Sequence, residues 1–175
     1  MENQIRPPIL GFFQKTLDKL DRVVIPENIR AGFGDEKALF LVPWLDRSIG
    51  VFALDTFQAL TLRFRGKPSQ RFHADRRNLL RHVGTYACQA NLDQQGRIII
   101  PKPLKDWAYI EKEVTLLGAF DMCEIWATSK YREVMEKSKV EYDKALEKVL
   151  CEDIDLPGVS EHVSETGVPV KESGS

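Results

Sequence analysis

One signature occurs twice in this chain: Leu17-Asp18-x-x-x-Arg22-Val23-Val24-Ile25-Pro26 and, 75 residues later, Leu92-Asp93-x-x-x-Arg97-Ile98-Ile99-Ile100-Pro101. The register holds beyond the signature. Phe40-Leu41-Val42 stands the same distance before Thr115-Leu116-Leu117, and Asp46 before Asp121. One residue is then lost, so that Phe52 aligns with Trp126 and Thr56-Phe57 with Lys130-Tyr131. A one-residue loop deletion costs little, so the pattern is an internal duplication. Each half reads as strand, D-x-x-x-R loop, strand ending in proline, short helix, strand, loop, strand and longer helix. At roughly 65 residues each, the halves are near the lower size limit for an independent core. They are therefore expected to share one core in a single pseudo-twofold domain.

β-Branched and aromatic content between turn residues predicts strands at 12–17, 23–25, 38–42, 51–54, 86–92, 98–100, 114–118 and 124–126. Pro26 and Pro101 end the strands they follow and each opens a short helix. A helix at 56–65 places Phe57, Leu60, Thr61 and Phe64 on one face. A helix at 129–150 does the same with Tyr131, Val134, Met135, Tyr142, Ala145, Leu146 and Val149. Both stripes read as core or subunit contacts. Residues 69–83 read as a helical linker carrying Arg71, Arg76, Arg77 and Arg81, which is either a phosphate-facing surface or an amphipathic connector. The organisation expected is an N-terminal extension at 1–9, a first repeat at 10–68, the linker at 69–83, a second repeat at 84–150, and a tail at 151–175. The tail is acidic and rich in Gly, Pro and Ser, and is expected to be disordered.

No apolar run approaches the ~20 residues of a membrane span, and Met1-Glu2-Asn3-Gln4 does not resemble a secretory leader. Three cysteines, Cys88, Cys123 and Cys151, without Cys-x-x-Cys spacing read as reduced thiols in a cytoplasmic protein. The formal net charge is −1, but it is unevenly spread: residues 1–110 carry an excess of six cations and residues 111–175 an excess of seven anions. That polarity suggests a basic face for a polyanion and an acidic end held away from it, or simply differing solvated faces. Catalysis is not expected. His73, His82 and His162 lack metal-ligand spacing, and no phosphate loop, dinucleotide fingerprint or nucleophile motif occurs. No metal, cofactor or small-molecule ligand is expected.

The loops carry the chemistry. In Asp93-Gln94-Gln95-Gly96-Arg97 a tight turn with Gly96 at positive φ joins two strands. Asp93 is suited to bond the amides of its own turn, shaping the loop. Arg97 then emerges from a rigid turn with a planar fork of donors suited to phosphate or a guanine edge, and Gln94 and Gln95 add donors and acceptors at the tip.

The paired L-D-x-x-G-R-hydrophobic-P repeats resemble the MraZ family of bacterial transcriptional regulators. So do Leu10-Gly11-x-Phe13, Val114-Thr115-Leu116-Leu117-Gly118 and Glu124-Ile125-Trp126, and the resemblance runs from about Leu10 to Leu150. It implies a mainly β fold with flanking helices (α+β), built of two AbrB-like swapped-hairpin β-barrel halves that form an intramolecular pseudodimer. It further implies assembly into a homo-oligomeric ring, and cytoplasmic, nucleoid-associated binding to double-stranded DNA repeats upstream of the family's own division and cell-wall operon. The DNA-facing candidates carried over are Arg97, Arg22, Lys19, Gln94 and Gln95. Lys102 and Lys105 join them because they make the short helix of the second repeat more basic than Glu27 and Arg30 make the first. Asp18, Asp93 and Gly96 are read as loop-shaping, since a carboxylate facing phosphate is repelled. The first repeat departs from the pattern with Asp21 in place of glycine, which requires an aspartate in the left-handed region. Its carboxylate also offsets Arg22, so Arg97 is expected to be the stronger contact. A protein-binding scaffold or antitoxin-like module using the same fold with little DNA binding is the alternative, favoured by the near-zero net charge and Asp21.

Overall fold

A computed structural model describes residues 6–67 and 73–151. Among these, residues up to Lys137 form one compact unit and those from Ser138 to Cys151 belong to a second. The first unit begins with β1 (Phe12–Thr16), β2 (Arg22–Val24), α1 (Glu27–Gly32), β3 (Ala38–Pro43), β4 (Ile49–Phe52) and α2 (Leu54–Arg65). After α3 (Ala74–Tyr86) the sequence of elements repeats: β5 (Cys88–Asn91), β6 (Arg97–Ile99), α4 (Lys102–Trp107), β7 (Glu113–Gly118), β8 (Cys123–Ala127) and α5 (Thr128–Ser138).

The two repeats exchange strands. Six strands form an antiparallel sheet in the order β1-β7-β8-β4-β3-β5, a palindrome under the duplication because β1, β3 and β4 correspond to β5, β7 and β8. β1 of the first repeat pairs with β7 of the second, Phe13 opposite Leu116, while β5 of the second pairs with β3 of the first, Cys88 opposite Leu41. The pseudo-twofold axis passes between β4 and β8, where Gly50 faces Glu124. A separate two-stranded ribbon lies on the same symmetry, with Val23 of β2 directly opposite Ile98 of β6. The fold is α+β, as the repeats imply, but the six-stranded sheet does not close into a barrel. Its edges are β1 and β5, because the chain leaves each edge strand through the D-x-x-x-R turn and pairs the next strand in the ribbon instead.

Alternation along the strands sets two cores on opposite faces. The larger joins Leu39, Leu41, Val51, Val114, Leu116 and Ile125 of the sheet to Val23 and Ile98 of the ribbon and to Ile29 and Leu104 of α1 and α4. The smaller places Val42, Phe52 and Met122 against Phe57, Leu60 and Phe64 of α2, the stripe read from the sequence. Because residues of both repeats are mixed throughout the larger core, neither repeat encloses that core alone, as their size requires. Ile9, expected to lie outside the first repeat, is only 1% exposed and bridges to Phe120.

Two local expectations change. The helix expected at 129–150 is two helices, α5 and α6 (Tyr142–Leu150), and the break follows Ser138 and spans Val140, both weak helix formers, where the chain turns through a Glu141 N–H bond to the Ser138 carbonyl at 3.0 Å. In that stripe Tyr131 packs on Phe12 and Trp126, whereas Tyr142, Leu146 and Val149 of α6 are exposed. The linker helix is α3, which continues past Val83 to Tyr86; Arg71 and the tail from 152 onward lie outside the described residues. Within α3, Arg76 is a structural cap: its Nη1 donates to the Arg63 and Phe64 carbonyls at the C-terminal end of α2, at 3.0 and 2.7 Å. All three cysteines are free thiols, and burial pushes Cys88 and, much further, Cys123 up from the ordinary thiol range. No helix among the described residues is long and apolar enough to cross a membrane.

Candidate nucleic-acid interface

Each signature folds into the same five-residue turn. In the first, the Asp18 N–H donates to the Arg22 carbonyl at 3.0 Å and the Asp21 N–H to the Asp18 carbonyl at 3.1 Å; in the second, Asp93 with Arg97 and Gly96 with Asp93 do the same at 2.9 and 2.9 Å. This is a type I turn closed by a left-handed residue, one of the common short hairpin loops. The left-handed residue is Asp21 (φ 57°) in the first turn and Gly96 (φ 71°) in the second, so the aspartate adopts the conformation the motif demands of glycine.

The aspartate at the head of each turn makes three bonds. Asp18 Oδ1 accepts the N–H groups of Leu20 and Arg22 at 2.8 and 3.0 Å, and its Oδ2 accepts Arg22 Nε at 2.7 Å. Asp93 Oδ1 accepts Gln95 and Arg97 N–H, both at 2.9 Å, and its Oδ2 accepts Arg97 Nε at 2.7 Å. The bonds from Arg97, its backbone N–H first, and from Gln95 outweigh desolvation and hold the Asp93 carboxyl below the ordinary range. At Asp18 desolvation is the largest influence and acts upward, but the bonds from Arg22 and Leu20 together outweigh it, so its carboxyl is lowered as well. The carboxylates therefore face inward onto their own turns. With Nε held, each guanidinium has a fixed orientation, and its own turn's aspartate does not engage the Nη groups.

The ribbon then sets the two turns side by side. Arg22 stands opposite Ile99 and Arg97 opposite Val24. Ile25 N–H donates to the Gly96 carbonyl at 2.9 Å and Ile100 N–H to the Asp21 carbonyl at 3.0 Å, so each repeat's strand is bonded to the other's turn. Arg97 Nη1 lies 4.0 Å from Asp18 Oδ2, linking the turns directly. Lys19, Gln94 and Gln95 are exposed at the tips.

The short helices also cross over, which changes the weight of their charges. Lys105 of α4, in the second repeat, pairs with Asp21 of the first turn and is mostly covered. The basicity of α4 thus does not add to the second turn, because strand exchange carries that helix to its neighbour's turn. Lys102 is highly exposed and pairs with Asp106 at 2.8 Å on its own helix, away from the group that the ribbon assembles. Sequence reasoning did not single out Arg30, the counterpart of Lys105, as a site residue. Its guanidinium lies over Gly96, where an added Cβ would stand 2.8 Å from Cζ. The 75-residue offset linking Arg30 to Lys105 was the available signal, but it acquires meaning only once the helices are seen to cross. Among the described residues no cluster of His, Cys, Asp and Glu could hold a metal.

The fold and these turns define a class: a tandem duplicated, strand-exchanged domain that displays two arginine-bearing turns about one pseudo-twofold axis. A family model described as "MraZ protein, putative antitoxin-like" matches residues 84–150, the second repeat. Relatives named transcriptional regulator MraZ match both repeats. The protein of Symbiobacterium thermophilum is 33% identical over 140 residues, covering 80% of this chain and 99% of the relative. That of Clostridium beijerinckii is 31% identical over 140 residues, covering 80% and 95%. The chain belongs to the MraZ family.

Proposed function

We propose that this protein is a sequence-specific DNA-binding transcriptional regulator without enzymatic activity, acting in the cytoplasm at the nucleoid. It represses its own division and cell-wall operon by binding promoter repeats as a homo-oligomeric ring. The supporting observation is the pair of turns in which an inward-facing aspartate holds arginine Nε at 2.7 Å and fixes the guanidinium without itself engaging the Nη groups. Two donors in one plane match O6 and N7 of guanine, and a good pair of this kind discriminates by about 1–3 kcal/mol. Arg97 and Arg22 read base edges in this scheme, with Lys19, Gln94 and Gln95 bonding phosphates or base edges beside them. Lys102 and Lys105 contribute to the general basic field, Lys105 weakly because Asp21 neutralises it. Asp18, Asp93 and Gly96 hold the shapes of the turns. Residues 10–68 and 84–150 act as the two reading repeats, with 69–83 as linker and 1–9 and 151–175 as flanking segments.

One pair of small turns binds weakly, and a ring that presents several pairs to successive repeats raises affinity through effective concentration. The test is fluorescence anisotropy of the wild type and Arg97→Ala on duplex from immediately upstream of the protein's own gene, with random duplex as control, across a salt series. Specific, steeply salt-dependent binding that Arg97→Ala abolishes is expected. Equal, feeble binding of both duplexes by both proteins refutes the reading and favours a protein-binding, antitoxin-like role, which a nuclease-resistant partner in a pull-down would establish. Indifference to the spacing of the repeated sites would remove the ring.

A further inference from the structure

Strand exchange brings a basic residue of each short helix onto the opposite repeat's turn, and the two instances end differently. On the first turn, Lys105 is neutralised by Asp21. On the second turn that carboxylate is absent because Gly96 occupies the position, and Arg30 of α1 lies against the bare backbone there, with the site of a Gly96 Cβ 2.8 Å from Nη1 and 3.0 Å from Nε. Arg30 forms no side-chain hydrogen bond or ion pair among the described residues, and its Nε is enclosed without a partner while its terminal nitrogens are not. Arg30 stands in the last turn of α1, where a cation suits the helix dipole. A six-residue helix offers little field, however, and nothing in it requires a guanidinium folded over another repeat's glycine. The enclosed Nε is closed to an outside ligand, but the terminal nitrogens of this permanently charged group, unpaired among the described residues, can donate to one.

We propose that Arg30 is a phosphate-binding residue of the second turn: with Arg97 it forms a composite anion site contributed by both repeats, in which Arg30 grips the nucleic-acid backbone and leaves the Arg97 fork to a base edge. This rests on the DNA-binding reading above. It makes the two turns unequal for a reason independent of the Arg22 and Arg97 side chains. The first turn spends its helix cation on Asp21, and the second keeps its own for the ligand. Gly96 is then required for more than its left-handed φ, since any side chain there would displace Arg30.

The experiment compares wild type, Arg30→Met, Arg30→Lys and Arg97→Ala by anisotropy on upstream and random duplex across a salt series, with thermal melting of each protein. A phosphate contact carries no sequence information, so Arg30→Met should weaken both duplexes alike, by about tenfold, and lower the salt slope by about one per bound protomer. Because Arg30 has no hydrogen-bond or ion-pair partner among the described residues, the melting temperature of Arg30→Met should hold. Arg30→Lys should restore the slope. Arg97→Ala should instead lose the preference for the upstream duplex. Unchanged affinity and slope in Arg30→Met, while Arg97→Ala loses its preference, would overturn the inference and leave DNA binding standing. So would a loss confined to the upstream duplex, or one that tracks a lowered melting temperature. Failure of the wild type to bind either duplex would remove both.

Discussion

If the two repeats share one ribbon, residues 75 positions apart in sequence must be coupled in stability. Val23 and Ile98 stand directly opposite each other in β2 and β6, at 1% and 0% exposure, and both belong to the larger core. Truncating fully buried side chains of this kind costs about 2 kcal/mol for Val23→Ala and about 3 kcal/mol for Ile98→Ala. The second change alone should lower the melting temperature by roughly 10 °C in a domain of this size. Because the two side chains are cross-strand partners, the first truncation already leaves space that the second enlarges. The double variant should therefore depart from additivity by about 1 kcal/mol. Urea unfolding of wild type, both single variants and the double variant, each as one cooperative transition, measures this directly. Additivity within about 0.3 kcal/mol, or two separable transitions, would mean that the repeats fold independently and would refute the strand exchange.

Three further outcomes follow from the geometry. Deleting residues 1–9, or Ile9→Ala alone, should destabilise the fold, by about 2–5 kcal/mol for the truncated side chain, as seen in chemical denaturation, because Ile9 is enclosed in the core and bonded to Phe120 in both directions, at 2.7 and 2.9 Å; tolerance of the deletion would contradict this packing. Gly118→Ala should be harmful in melting curves although Gly118 lies in a strand without positive φ, since its Cβ would meet the Ile9 carbonyl oxygen at 2.6 Å, and backbone cannot step aside. The lowered carboxyl pKa of Asp18 and Asp93 means that each stabilises the fold above the unfolded-state value, near pH 4, and that this contribution is lost as pH falls through the folded-state value; carboxyl chemical shifts titrating at ordinary aspartate pH would show that the turns are not held as described.

Much of the molecule could be read from local sequence because its information is local. Asp93, Gly96 and Arg97 lie within five residues, so spacing alone dictates a turn closed by a left-handed residue and bonded by its own aspartate. Phe57, Leu60 and Phe64 repeat at helical intervals and meet the sheet as that period requires. Asp21 at positive φ follows from the same turn geometry. The duplication likewise required a shared core, since neither half has enough apolar surface to enclose one.

The pairing of the halves was not decided locally. β3 and β7 carry equivalent apolar patterns, so β1 could in principle pair with the strand of its own repeat or with that of the other, and a repeated sequence is degenerate between the two. Only closure of the whole core resolves this choice: the chain turns away from each edge strand into the ribbon, and each repeat completes the sheet of the other. The destinations of the short helices follow from that exchange. Lys105 and Arg30 are equivalent in sequence, yet one meets a carboxylate and the other a bare glycine, because what each touches is set by residues 84 and 66 positions away along the chain. Sequence by itself determined the turns, the elements and the need for a common core, since those depend on near neighbours and total apolar surface. Tertiary structure decided which repeat serves which turn, because packing alone brings distant charges together.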